Sequence, residues 1–261
     1  MNQQFGACNL SLVPLRTDPS DKSEMCSQLL FGDHFVVLER EEKWSRILTS
    51  DDGYEGWIDN KQYVDIDENA HFTLSSYHSV LGLSMVHPII KVDTGESLNL
   101  VAGSYIPQLV NKSFYLGETK YRFDEQMLTP DGSDFSFKIY QTAMFYMNSP
   151  YLWGGRSPFG IDCSGLTQIV FRQAGIRLKR DAWQQAEQGD LLGFVQESRT
   201  GDLAFFDNED GRITHVGIML DNNYIIHASG CVRTDSIDNQ GIFNKELNRY
   251  THKLRIIKRF T

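Results

Sequence analysis

Residues Tyr151 to Gly165 constrain this chain more than any other stretch. They read Tyr-Leu-Trp-Gly-Gly-Arg-Ser-Pro-Phe-Gly-Ile-Asp-Cys-Ser-Gly. Glycines and a proline crowd the positions before Cys163, so backbone segments approach one another closely there. Beyond it, Leu166, Ile169, Val170 and Ala174 recur at helical spacing, and Gly175 is a stop signal. Cys163 is therefore expected where a loop turns into a helix. Amides at a helix start have no intrahelical partner, and the helix dipole is positive there. Such surroundings lower a Cys pKa to roughly 3.5–7.5, so the sulfur is expected to be a thiolate nucleophile. A Cys taken alone is more often a small buried hydrophobe. Asp162 and Ser164 beside this one argue against an apolar setting.

A nucleophilic thiol needs a base. His215 opens Thr-His-Val-Gly-Ile-Met-Leu, and His227 closes Tyr-Ile-Ile-His-Ala-Ser. Asp221-Asn-Asn between them reads as a hairpin turn. The two rings are thus expected as cross-strand neighbours at matching ends of a hairpin. Singly, each would more often be a surface or satisfied core histidine. Together with Cys163 they suit a relay in which one ring takes the thiol proton and the second orients the first. Two His and one Cys could also hold zinc, but no fourth ligand sits at suggestive spacing, and zinc ranks lower.

Length bounds the rest. The 261 residues allow one large domain or two to three small ones. A formal charge of −9 disfavours nucleic acid and anionic membrane surfaces as partners. No apolar run approaches the ~18–20 residues of a membrane helix. The amino-terminal Met-Asn-Gln-Gln-Phe-Gly-Ala-Cys-Asn does not read as a signal peptide, and a cytoplasmic location is expected, with a trimmed secreted form the alternative. The four cysteines, Cys8, Cys26, Cys163 and Cys231, are scattered and suggest neither a disulfide scaffold nor a zinc cluster.

Residues 1–65 read as short strands with turns at Thr17-Asp-Pro-Ser-Asp-Lys, Gly32-Asp33 and Ser50-Asp-Asp-Gly, the pattern of a small barrel or sandwich. Residues 66–132 hold strand-like runs at 89–92, 98–101, 113–116 and 119–123 and read as a second, divergent barrel, with Leu128-Thr-Pro-Asp-Gly-Ser as a linker. Residues 133–261 change pattern. Phe137, Tyr140, Met144 and Met147 form an apolar stripe read as helix core, and 178–189 reads as a short helix. Strands follow at 203–207, 215–220, 224–228 and 254–259, with the polar stretch 235–251 read as a surface loop. Helices packed on an antiparallel sheet make an α+β domain.

The pieces Tyr-Leu-Trp-Gly-Gly, Gly-Ile-Asp-Cys-Ser-Gly-Leu, Arg180-Asp181, Gly201-Asp-Leu-Ala-Phe-Phe, His215-Val-Gly-Ile and Ile226-His-Ala-Ser occur in an order that resembles the NlpC-type cysteine peptidases. These are papain-like enzymes acting on bacterial cell-wall peptides. Gly53-Tyr-Glu-Gly-Trp and Leu29-Leu-Phe-Gly resemble bacterial Src-homology-3-like domains. Two such barrels ahead of the peptidase domain are similar to the γ-D-glutamyl-L-diamino acid endopeptidases (dipeptidyl-peptidase VI). The resemblance implies Cys163 as nucleophile, His215 as base and His227 as the orienting third member. It implies Tyr151 near the scissile group, Trp153, Asp162 and Ser164 lining the substrate pocket, and barrel residues Tyr54 and Glu24 at its far end. Glu24 and Asp162 would meet the free amino terminus of an L-Ala-γ-D-Glu-diamino acid peptide. Ala182 stands where many relatives carry Ser. No cofactor and no metal are implied. The rivals are an extracellular stem-peptide hydrolase whose barrels hold the wall, and a non-enzymatic module that binds wall fragments.

Overall fold

The computed structural model describes residues 3–76, 81–125 and 134–260, in two compact units that divide between Pro130 and Asp131. The linker read at 128–133 lies outside the described residues.

The first unit holds β1 (Gln4–Ala7), β2 (Leu12–Arg16), β3 (Met25–Leu30), β4 (His34–Arg40), β5 (Trp44–Thr49), β6 (Glu55–Asp59) and β7 (Val64–Ile66), with period-two burial clearest in β2 and β6. They form one sheet in the order β3-β2-β6-β5-β4-β1-β7. Val13, Leu15, Leu29, Phe35, Ile47 and Ile58 fill its core. A helix, α1 (Glu68–Ser76), follows; it buries only Leu74, and so sparse an apolar face leaves little periodic signal in the sequence. Strands β8 (His87–Lys91), β9 (Ser97–Leu100), β10 (Ser113–Leu116) and β11 (Thr119–Arg122) pair antiparallel in the order β10-β11-β8-β9. Residues 66–125, read from the sequence as a second barrel, are thus a helix and a four-stranded row. Their Ile89, Leu100, Phe114 and Tyr121 share one core with Phe5, Phe31 and Ile66.

The second unit begins with α2 (Phe135–Phe145), which buries Ile139, Thr142 and Ala143. Of the stripe read as core, Phe137 is 60% and Tyr140 45% exposed, while Met144 and Met147 are half-buried. The two-residue strands β12 (Arg156–Ser157) and β13 (Gly160–Ile161) pair as a hairpin that leads into α3 (Cys163–Gln173). All eleven residues of α3 are buried, and it packs against α2 and the sheet. The helix expected over 178–189 is a single turn, α4 (Ala182–Gln185), opened by a hydrogen bond from the Asp181 amide to the Gln184 side chain.

Strands β14 (Asp190–Leu192), β15 (Leu203–Asp207), β16 (Ile213–Met219), β17 (Tyr224–Ser229), β18 (Cys231–Asp238), β19 (Gly241–Asn244) and β20 (Arg249–Arg259) make an antiparallel sheet in the order β14-β20-β15-β16-β17-β18-β19. The eleven-residue β20 pairs through its first half with β19 and through its second half with β15. Strands β15 to β20 therefore close into a six-stranded barrel, which removes the open edges a flat sheet would leave. Ala204, Phe206, Met219, Ile225, Ile237 and Ile242 pack within it. The stretch 235–251 is not a surface loop: it supplies the end of β18, all of β19 and the start of β20.

Candidate active site

The loop before Cys163 is pinned to the start of α3. A side chain at Gly165 would collide with the Gly155 carbonyl, so only glycine lets the loop lie there. Asp162 is the N-cap of α3. Its Oδ1 accepts from the Gly165 amide at 2.6 Å and its Oδ2 from the Gly154 amide at 2.8 Å, which ties loop and helix together. Arg180 donates to both oxygens, at 3.1 and 2.6 Å, and to Ser164 Oγ at 2.9 Å. Asp162 and Arg180 are both buried, so each charge depends on the other.

Cys163 is 6% exposed. Burial pushes its thiol up to about 12, and the Asp162 charge adds to this. Hydrogen bonds from the Val216 and Ser164 backbones and the positive Arg180 pull the other way without prevailing. The thiolate expected from the helix start is thus not the resting form. Desolvation outweighs the backbone hydrogen bonds at the helix start, so the protonated thiol is favoured.

That base is close. The backbone of Val216, next to His215, hydrogen-bonds the sulfur. β16 and β17 pair with Ile218 opposite Ile226 and Met219 opposite Ile225. Continuing this register sets Gly217 across from His227, and a side chain at 217 would crowd the His227 Cβ. The missing side chain gives room for the diagonal contact in which His215 Nε2 lies 2.8 Å from His227 Nδ1. On its far side, His227 Nε2 lies 3.1 Å from Asp235 Oδ2 on β18. His252 on β20 stacks on His215, with ring centroids 4.1 Å apart and planes 25° apart. Burial, then the neighbouring His227 and His252, hold His215 well below 6.5. His252 sits at about 4, chiefly through burial. Burial thus favours the neutral forms of both the Cys163 thiol and the His215 imidazole.

Residues 148–251 match the NlpC/P60 family, and residues 15–62 match the bacterial dipeptidyl-peptidase Sh3 domain. Residues 148–251 are an NlpC/P60 domain. The chain is 26% identical over 217 residues to a gamma-D-glutamyl-L-lysine dipeptidyl-peptidase of Bacillus subtilis, covering 77% of this chain and 71% of that one. It is 26% identical over 254 residues to dipeptidyl-peptidase 6 of Lysinibacillus sphaericus, covering 88% and 90%. The crystal structure of an NlpC/P60 family protein from Bacillus cereus has the same fold, with a TM-score of 0.80 at 18% identity, covering 98% of this chain and 99% of that one.

Within the NlpC/P60 domain the fold brings together Tyr151, Asp162, Cys163, Ser164, His215 and His227. The Tyr151 phenol is raised to about 12, first by burial and then by Cys163 and Asp162, so it keeps its proton and remains a donor. Trp153 stands 60% exposed on the loop, between Leu152 and the buried Gly154. Ala182 is the buried first residue of α4. Tyr54 and Glu24 belong to the other unit. Tyr54 follows the β5–β6 turn with its amide on Thr49 Oγ1 at 2.8 Å, and Glu24 is an exposed residue just before β3.

Asp235 and His252 had no signal in the sequence: Asp235 lies in the stretch read as loop, and His252 just past it, before the strand read at 254–259. Arg180 could have been found, since it stands in the Arg-Asp piece of the resemblance. His215, His227 and His252 offer nitrogens within 4.8 Å of one another. They make a poor metal set: the lone pairs of two stacked rings run parallel rather than converging, and the closest nitrogens already share a hydrogen bond.

Proposed function

We propose that the chain is a cysteine peptidase that hydrolyses the γ-D-glutamyl–L-diamino acid bond of short cell-wall peptides carrying a free amino-terminal L-Ala. The observation that carries this reading is the buried Cys163 at the start of α3, beside the hydrogen-bonded His215–His227 pair of an NlpC/P60 domain. The names of the Bacillus subtilis and Lysinibacillus sphaericus relatives support the choice of bond.

In this mechanism the Cys163 sulfur attacks the γ-glutamyl carbonyl as His215 takes the thiol proton, and His227 steadies the His215 ring. His215 then returns the proton to the departing amine of the diamino acid. A thioester remains on Cys163, and water, deprotonated by His215, hydrolyses it. The Cys163 amide and the Tyr151 hydroxyl receive the developing oxyanion; losing one such donor typically costs roughly 10²–10³ in rate.

Trp153, Asp162 and Ser164 are the proposed substrate contacts of the peptidase domain. The Asp162 carboxylate is already matched by Arg180. Asp162 is therefore proposed to offer the substrate ammonium a hydrogen bond rather than a free charge. The deciding experiment compares turnover of free and N-acetylated L-Ala-γ-D-Glu-diamino acid tripeptides. Free peptide should react far faster, and equal rates would remove amine selection from the proposal. Location in the cytoplasm, with a role in recycling wall fragments, is part of the same proposal. Cell fractionation that finds the protein only outside the membrane would overturn that part.

A further inference from the structure

One end of the β15–β20 barrel carries a chain of buried polar side chains that runs past the two histidines. Asp235 is 7% exposed and His227 1%. Asp235 Oδ2 faces His227 Nε2 at 3.1 Å, and His227 Nδ1 faces His215 Nε2 at 2.8 Å. Behind Asp235, on the same strand, Arg233 closes the line: its Nε lies 2.8 Å from Oδ2, and its Nη2 donates to Oδ1 at 3.1 Å. Arg233 also reaches Glu246 at 3.2 Å.

We propose that Asp235 is a positioning residue of the catalytic relay, fixing which nitrogen of His227, and through it of His215, carries the proton. This rests on the cysteine peptidase reading and adds a fourth member to it.

The argument is one of donors and acceptors. An ionised carboxylate only accepts. Burial alone would raise the Asp235 pKa, but the hydrogen bonds from His227 and Arg233 more than offset this and hold it below the ordinary carboxylate value. His227 Nε2 must then be the donor. A neutral imidazole has one donor and one acceptor, so His227 Nδ1 is bare and accepts. Its partner, His215 Nε2, must in turn carry a proton. That leaves His215 Nδ1 with its lone pair free to take the thiol proton. Reverse the first bond and every later one reverses, until the base presents N–H where it should present a lone pair. His252, stacked on the His215 face, hinders rotation of the ring out of this line.

The groups facing this chain are Arg233 and Glu246 from β18 and the segment after β19, His252 from β20, and Cys163 with Asp162 and Arg180 from the helix side.

Two measurements test the proposal. In the unaltered protein, ¹⁵N-imidazole NMR should show His227 and His215 both neutral and both protonated at Nε2. His227 protonated at Nδ1, or on both nitrogens, would overturn the proposal without reference to activity. In Asp235→Asn, the amide can donate to His227 Nε2 and invert the chain. kcat should fall about 10²-fold, short of the ~10⁴-fold seen where such a carboxylate touches the base itself. KM should stay within about threefold, and the His227 resonances should switch tautomer. Unchanged kcat, or a loss confined to KM, would also overturn it. Should Asp235→Asn fold poorly, the NMR of the unaltered protein still decides. Failure of the peptidase reading would show separately, as turnover surviving Cys163→Ala.

Discussion

Asp162, next to Cys163 in sequence, and Asp235, hydrogen-bonded to His227, are both buried, and they are built for different work. Asp162 is met by Arg180, which cannot lose its proton, and by two backbone amides. Asp235 is met by His227, whose proton can sit on either nitrogen, and by Arg233. The first network holds a loop and a helix start in place and moves no charge. The second hands orientation, and a choice of tautomer, along a line of rings. A buried carboxylate is thus scaffold or relay according to whether its partner titrates.

The sharpest way to break this contrast is to remove the proposed nucleophile. Cys163→Ala should abolish turnover, a loss on the order of 10⁵–10⁶-fold in kcat, while the melting temperature stays put. Residual turnover in a steady-state assay would place the nucleophile elsewhere. Next in size is Arg180→Met, which leaves Asp162 as an uncompensated buried charge and should cost about 3–5 kcal/mol in chemical denaturation. Asp235→Asn should hardly move the same denaturation midpoint, so equal destabilisation by the two changes would erase the distinction between scaffold and relay.

Acid gives a smaller effect. His34, His215 and His252 all have folded pKa values below 6.5, with His34 and His252 at about 4. The unfolded chain therefore binds more protons between these limits, and stability present above pH 6.5 is lost as pH falls toward 4. Melting curves across that window should slope downward toward acid, and His252→Phe should flatten part of the slope. A flat profile in the unaltered protein would mean these rings are charged when folded. Smallest of all, Phe137→Ser on the outward face of α2 should change stability by no more than about 0.5 kcal/mol. A core-sized loss would restore the buried stripe read from the sequence.

Residues whose spacing carried a local rule were legible. The period of Leu166, Ile169 and Val170 marks α3, and the turn at Asp221-Asn-Asn sets His215 and His227 on paired strands. What escaped depends on contacts distant in sequence. The apolar residues of α2 show two stripes, and only packing against α3 selects the one with Ile139 and Ala143. The segment 235–251 turns Asp235 of β18 toward His227 and closes the barrel by pairing β19 with β20. Its hydrophilic look comes mostly from exposed residues at 238–240 and 245–251, while Asp235 and Asn244 are the buried polar side chains. The Cys163 thiol went the other way from its expectation for the same reason: a helix start is visible in a sequence, but the depth at which it is buried is not.

The double duty of β20 has a consequence for how the molecule comes into being. It leaves the ribosome after every other stave of the barrel, and until it arrives β15 and β19 lie open and His252 is missing from the face of His215. The surroundings of His215 are therefore completed by the last stave of this barrel to be made, and a nascent chain stalled short of residue 249 would leave two strand edges open and that ring uncovered.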